Sequence, residues 1–281
     1  TKGVWGVQFD FRDVPTVIAD EDSGARQALQ GFLKSMGFRN LDHVESVEAL
    51  GIRLAKSEVA LLIGSATMAD GEILDIIRRI RRNEIAGQPF MPVVALVSAP
   101  EAPLVRRVID SGADLIFSQP LSQASIEQGL GALVMKRRPF VVTYDYVGPD
   151  RRRAKREGEE SIALVEVPNA LRRWATGFSD EPPSKKILNT INTMRAQRQA
   201  VQFLWLADQV MAHFSGGPQD SKLKGHLAGM QTVAAETKAL AAVTKYRNQG
   251  ALCDLAASAA KSVEAAITAG GDPDLTDLGH L

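Results

Sequence analysis

The sequence predicts an α/β protein: a doubly wound (βα)5 domain, followed by an extended linker and an all-α helical bundle. Three observations carry this reading. From residue 15 to about 137, short apolar runs alternate with helical patterns, the order that builds a parallel sheet with helices on both faces. Two of the runs, Val59 to Ile63 and Val93 to Val97, are nearly continuously apolar, as central strands covered on both sides must be. After Pro182 and Pro183 the strand signal stops and helical patterns follow, the later ones rich in alanine. At 281 residues the chain exceeds the ~100–150 of a usual domain and has room for two cores.

The strands of the first domain are expected at 15–20, 40–45, 58–64, 91–98 and 114–118. Between them, helix 24–36 repeats Ala25, Ala28, Leu29, Phe32, Leu33 and Met36 on one face, and Gly37 stops it. Helices 46–55, 70–83, 101–111 and 122–136 follow. Five βα units in this order make a flavodoxin-like domain over residues 13–138, whose ligands would bind at the carboxyl ends of the strands. The first strand ends there in Asp20, Glu21 and Asp22, with Asp22 or Ser23 placed to cap the next helix. Arg78, Arg79, Arg81 and Arg82 crowd the end of helix 70–83, where positive charge suits the helix dipole, and most are expected to be exposed.

After Arg138 the pattern changes. Phe140 to Val147 reads as extended, Gly148 and Pro149 as a turn, and Arg151, Arg152, Arg153, Lys155 and Arg156 as a charge run, so 139–183 is expected to be an extended basic linker. It contains a β-like stretch from Ile162 to Val167 and a short helix near 169–176. Ser184 is placed to cap a long helix to about 213, with Leu188, Ile191, Met194, Val201, Leu204 and Trp205 mostly on one side. Helical patterns at 220–246 and 249–269 complete a bundle over 184–270, packing on itself or across a homodimer, and a flexible tail is expected after Gly270.

Composition narrows the function classes. Charge balances at 33 basic and 33 acidic residues, which argues against a surface built to coat nucleic acid or membrane. The single cysteine, Cys253, allows no intramolecular disulfide and no cysteine-built metal site, which fits a reducing cytoplasm. His43, His213, His226 and His280 are too scattered to form a metal cluster. The opening residues 1–13 lack the charge and apolar order of a secretory signal, and no apolar run approaches the ~20 residues that cross a bilayer. A further N-terminal segment is compatible with a chain that opens at Thr1.

The acidic residues at 20–22, Arg26 in the helix that follows, Ser98 after the fourth strand, Gly112-Ala113-Asp114 before Phe117, and Pro120 stand at the spacing of one family. Over about 120 residues the chain resembles response-regulator receiver domains of the CheY-like type. The resemblance implies an acidic pair, Asp20 and Glu21, of the kind that holds Mg²⁺ in receivers, and a switch hydroxyl at Ser98. It also shows two departures. Where the phosphoacceptor aspartate would stand the sequence reads Ile63, Gly64, Ser65, Ala66, Thr67, Met68, Ala69, Asp70, Gly71, which keeps the closing Asp-Gly but is one residue short and has no carboxylate at Gly64 or Ser65. Gln119, before Pro120, replaces the lysine that would pair with an acyl phosphate. Phosphoryl transfer to a carboxylate needs both the nucleophile and charge neutralisation, so the pattern is that of a degenerate receiver with no cofactor beyond weak residual Mg²⁺.

The expectation is a non-enzymatic, cytoplasmic signalling adaptor acting through protein–protein contact, with a signalling protein as partner and a possible homodimer through the helices. Ser98 and Gln119 are expected to bond to each other or to the loop and hold one conformation. One alternative is a phosphorelay component whose acceptor is a loop hydroxyl, Ser65 or Thr67, or His226. Lys224, His226 and Gly229 resemble the His-x-x-Lys-Gly pattern of histidine phosphotransfer bundles only in part. Another is a sensor of an anionic second messenger or nucleic acid that uses the arginine run, since guanidinium forks match phosphate oxygens. Arg152 and Arg156 have the Arg-x-x-x-Arg spacing of PilZ-type sensors, but the companion Asp/Asn-x-Ser-x-x-Gly motif is absent, and nucleic acid is not an expected partner.

Overall fold

The computed structural model describes residues 9–85, 87–151, 163–178, 184–215, 222–244, 246, 250–270 and 273–279. Its described residues divide into two compact units, one reaching to Val141 and resuming from Tyr146 to Ile187, the other combining Val142–Asp145 with the residues from Leu188 onward. The first unit is built on β1 (Thr16–Ala19), α1 (Ser23–Ser35), β2 (Leu41–Val44), α2 (Val47–Lys56) and β3 (Leu61–Ser65). A small hairpin, β4 (Thr67–Met68) and β5 (Gly71–Glu72), precedes α3 (Leu74–Arg81), β6 (Val93–Val97), α4 (Ala102–Ser111), β7 (Leu115–Ser118) and α5 (Gln123–Met135). The five main strands form a parallel sheet in the order β2-β1-β3-β6-β7, the expected doubly wound arrangement. Thr16 registers with both Leu41 and Leu61, and Ala19 lies beside Gly64.

Strand alternation sorts the core into two layers. Val17, Leu62, Val93 and Ala95 face Leu50, Leu54, Ile73, Ile77 and Ile80. Ile18, Leu61, Ile63 and Val94 face Leu29, Leu33, Ile126 and Leu130. The expected elements are present with ends shifted by a few residues. The largest shift is at α3, which starts at Leu74 because residues 67–72 turn back as the hairpin, with Gly71 at φ 141°, a conformation that favours glycine.

The expected linker is instead partly folded onto this unit. β8 (Phe140–Val142), β9 (Val147–Pro149) and β10 (Leu164–Val165) form a second sheet in the order β10-β8-β9. α6 (Ala170–Thr176) buries Leu171 and Ala175 in the layer that holds α1 and α5. The buried Asn169 caps α6 through its side-chain oxygen and donates from Nδ2 to Leu133 O at 2.8 Å. Gly148 and Pro149, read as a turn, are buried in β9. Gly148 is there because a Cβ would come 2.8 Å from the Cα of Gly112, so glycine meets glycine where the strand crosses the end of α4.

The second unit takes most of α7 (Ser184–Phe214), with α8 (Leu223–Ala242), α9 (Gly250–Thr268) and α10 (Thr276–Gly279). Its core joins Phe203, Leu206 and Val210 to Leu227, Met230, Val233, Ala256, Ala260 and Val263. The expected stripe on α7 is only partly internal: Ile191 is buried, whereas Val201, Leu204 and Trp205 are 63%, 51% and 49% exposed. The buried face carries Asn192, Arg195 and Gln199 beside the apolar residues, and polar side chains there hid it from a hydrophobicity reading. The tail expected after Gly270 contributes Leu278 to the core through α10.

Candidate functional site

The carboxyl ends of β1, β3, β6 and β7 bring together the residues that the sequence singled out. Asp20 leaves β1 buried, and its Oδ1 accepts the Asp22 N–H at 3.0 Å. Burial pushes the Asp20 carboxyl up, partly offset by that hydrogen bond. Asp22 caps α1, accepting the Ala25 N–H at 2.9 Å. Arg26, one turn on, is buried and donates through Nη1 to Asp20 O at 2.7 Å and Glu21 O at 2.9 Å, while Nη2 bonds Glu45. The guanidinium thus fixes the backbone of the loop, pairs with Glu45 and pulls against the rise of the Asp20 carboxyl.

The remaining acids are turned to backbone donors. Glu21 Oε2 accepts the Ala69 N–H at 2.6 Å, tying the β1 loop to the β4–β5 hairpin. Asp70, the preserved member of the Asp-Gly pair, reaches the start of α2 and accepts from Val47 N at 3.0 Å and Glu48 N at 3.2 Å, bonds that hold its carboxyl below the usual range. Mg²⁺ favours octahedral oxygen coordination through one or two carboxylates and waters, and two of the acids at these strand ends, Glu21 and Asp70, are turned to backbone amides instead. Among the described residues no three His, Cys, Asp or Glu side chains come together in a metal-holding group.

At Gly64, one of the two positions where the resemblance places the lost acceptor, the nearest neighbours are side-chain carbons. A Cβ on Gly64 would lie 2.9 Å from Ile73 Cδ1 and 3.2 Å from Ala19 Cβ, so any side chain at this point requires the neighbours to move. Ser65 is buried at the end of β3. Across the site Ser98 Oγ donates to Gln119 Oε1 at 2.8 Å, the contact expected from the sequence, and Pro120 follows Gln119 through a cis peptide bond.

A second constellation, which the sequence reading missed, surrounds Asp114 at the amino end of β7. Its side chain is 2% exposed and that of Arg81 is 1% exposed, which corrects the expectation that the arginines ending α3 are mostly solvated, although Arg79 is exposed. Asp114 Oδ2 accepts from Arg81 Nη2 at 2.8 Å and from the Val93 N–H at 2.9 Å, and Oδ1 accepts from Arg137 Nε at 2.7 Å. Arg81 also donates to Gly112 O at 2.9 Å and Met91 O at 2.7 Å, and Arg137 to Pro168 O at 2.6 Å. Both guanidiniums pack on the Phe140 ring, Arg81 at 5.2 Å and Arg137 at 5.1 Å from its centroid. Burial would raise the Asp114 pKa, but the two arginines and the amide outweigh it and the net direction is down. Burial lowers the Arg81 pKa to about 10 against the pull of Asp114, and raises Tyr146 to about 12.

Arg151 joins this region rather than an exposed basic run. It is half-buried, its Nη2 bonds Ala113 O, and it reaches Asp114 O at 3.2 Å. Its place in an extended linker is therefore corrected: the carbonyls before β7 hold it. Arg152, Arg153, Lys155 and Arg156 lie outside the described residues. His226 is half-buried on α8 with its ring edge-on to Trp205, centroids 5.7 Å apart. Gly229, the residue that would admit a docking receiver, instead faces Leu206, whose Cδ1 would be 3.3 Å from a Cβ there.

No family model matches the chain. In fold it is similar to several solved receiver domains. One is the receiver domain of a DNA-binding response regulator from Colwellia psychrerythraea 34H, with a TM-score of 0.40 and 20% identity, covering 44% of this chain and 100% of that one. Another is a two-component response regulator from Clostridium difficile, with a TM-score of 0.39 and 21% identity over 43% of this chain and 95% of the other. A response-regulator receiver protein from Pseudomonas putida gives a TM-score of 0.37 and 20% identity over 41% and 93%.

Proposed function

We propose that the chain is a non-enzymatic signalling adaptor whose first unit is a receiver-type domain working without aspartyl phosphorylation, and whose output is contact with a signalling protein. The observation that carries this reading is the occupied acceptor place: no carboxylate stands at Gly64 or Ser65, and Ile73 and Ala19 fill the space a side chain at Gly64 would need. The flanking residues support it, since Glu21 and Asp70 are committed to backbone amides and Arg26 to backbone carbonyls and Glu45. The absence of a fixed cation where Gln119 stands removes the partner of an acyl phosphate. Among the described residues no helix is long and apolar enough to cross a membrane. The test is incubation of the intact protein with acetyl phosphate or beryllofluoride in Mg²⁺, read by intact mass and by chemical-shift changes around Ser98. No added phosphoryl mass and no shift are expected, and an acid-stable, base-labile acyl phosphate would overturn the reading.

A further inference from the structure

We infer that the exposed face of α7 is a self-association surface that pairs two copies of this chain antiparallel about a two-fold axis near residue 203. Met194, Arg198, Val201, Leu204, Trp205, Asp208 and Ala212 recur at three-and-four spacing, so they share one stripe of the helix. The stripe is opposite the core: Phe203, Leu206 and Val210 are buried, while Val201, Leu204 and Trp205 are the exposed apolar residues of the middle turns. Trp205 is braced edge-on by His226 and still half-exposed, an anchor residue held ready at low entropy cost.

The charges on the stripe identify the occupant. Arg198 lies one turn before Val201 and Asp208 one turn after Leu204, and both are exposed. A two-fold contact is isologous, so residue i meets j and j meets i. With the axis near 203, Arg198 of each copy lies opposite Asp208 of the other, Val201 opposite Trp205, and the two Leu204 side chains meet beside the axis. The stripe from 194 to 212 is about 28 Å long, enough for a two-helix contact of roughly five turns. A parallel pairing would instead set Arg198 against Arg198 and Asp208 against Asp208.

Sedimentation velocity of the intact protein across a concentration series tests this. A reversible dimer is expected. Arg198→Asp and Asp208→Arg should each weaken it at least about tenfold, because each change places two like-charge pairs in the isologous contact. An equimolar mixture of these two variants should regain association, since each supplies the charge that the other needs, and the double variant Arg198→Asp/Asp208→Arg should dimerise like the unmodified chain. Circular dichroism confirms that the variants remain folded. A monomer at every concentration overturns the inference, as does a mixture that associates no better than either variant alone.

Discussion

Both ends of the parallel sheet carry acidic residues, and they treat them in opposite ways. At the carboxyl end Asp20, Glu21, Asp22 and Asp70 sit around strand-end loops and accept mostly backbone N–H groups, a helix cap or a loop tie apiece. At the amino end a single carboxylate, Asp114, is buried among two guanidiniums and an amide. The first arrangement could be lost group by group at small cost, whereas the second cannot lose one partner without leaving a buried charge uncompensated. The acids at the carboxyl end thus each tie down nearby backbone, and Asp114 holds the domain to the segment that follows it. Arg137 and Phe140 extend that hold to β8 and to the Pro168 carbonyl before α6.

The largest effect is expected from Asp114→Ala, which leaves Arg81 and Arg137 buried without their counter-charge. Loss of about 3–5 kcal/mol is expected in urea unfolding followed by circular dichroism. The acid limb sharpens the assignment. A carboxyl whose folded pKa lies below its ordinary 3.8 contributes stability that is present above about pH 4 and is lost as pH falls through the folded value. The variant should therefore lose less stability than the parent between pH 5 and pH 2, and an unchanged acid limb would mean that another carboxylate sets it.

A middle effect separates the two ends. Asp22→Ala removes the N-cap of α1 and should cost about 1 kcal/mol, the ordinary value for a cap and well below the Asp114 change. A loss as large as that of Asp114→Ala would show that the carboxyl-end acids act as one network, which would restore the case for a coordinated site.

The sheet was legible because its signal is periodic: Leu61, Leu62 and Ile63 must be a covered strand whatever surrounds them. Asp22, Ser98 and Gln119 were legible because caps and short loop contacts are local in sequence or fixed by strand order. Arg81, Asp114 and Arg137 were not, because their spacing spans 56 residues between the two arginines and only folding brings them together. Nothing in the charge run at Arg81 distinguishes the buried guanidinium from the solvated ones beside it. The packing of β9 was hidden for a related reason: Gly148, Pro149 and the arginines that follow have the composition of a linker, and burial of Gly148 depends on Gly112, far back in the chain. On α7, Asn192, Arg195 and Gln199 face inward, so the hydrophobic pattern caught Ile191 but missed the polar part of the buried face.

The smallest expected effect concerns Ser98 and Gln119, whose hydrogen bond at 2.8 Å is exposed. A neutral pair that exchanges with water contributes about 0.5–1 kcal/mol at most, so Ser98→Ala and Gln119→Ala should each shift stability by no more than that. A double-mutant cycle isolates their coupling, because the two side chains are in contact while their other neighbours are retained. If the bond merely closes a loop, the coupling stays within about 0.5 kcal/mol and the chemical shifts of β6 and β7 are unchanged beyond the substituted residues. If it holds the strand ends in one of two arrangements, the coupling exceeds this value and both single variants move the same set of shifts along β7. The second outcome would give the carboxyl end a switching role without phosphate, carried by a hydroxyl and an amide where a receiver uses a phosphoryl group and a lysine.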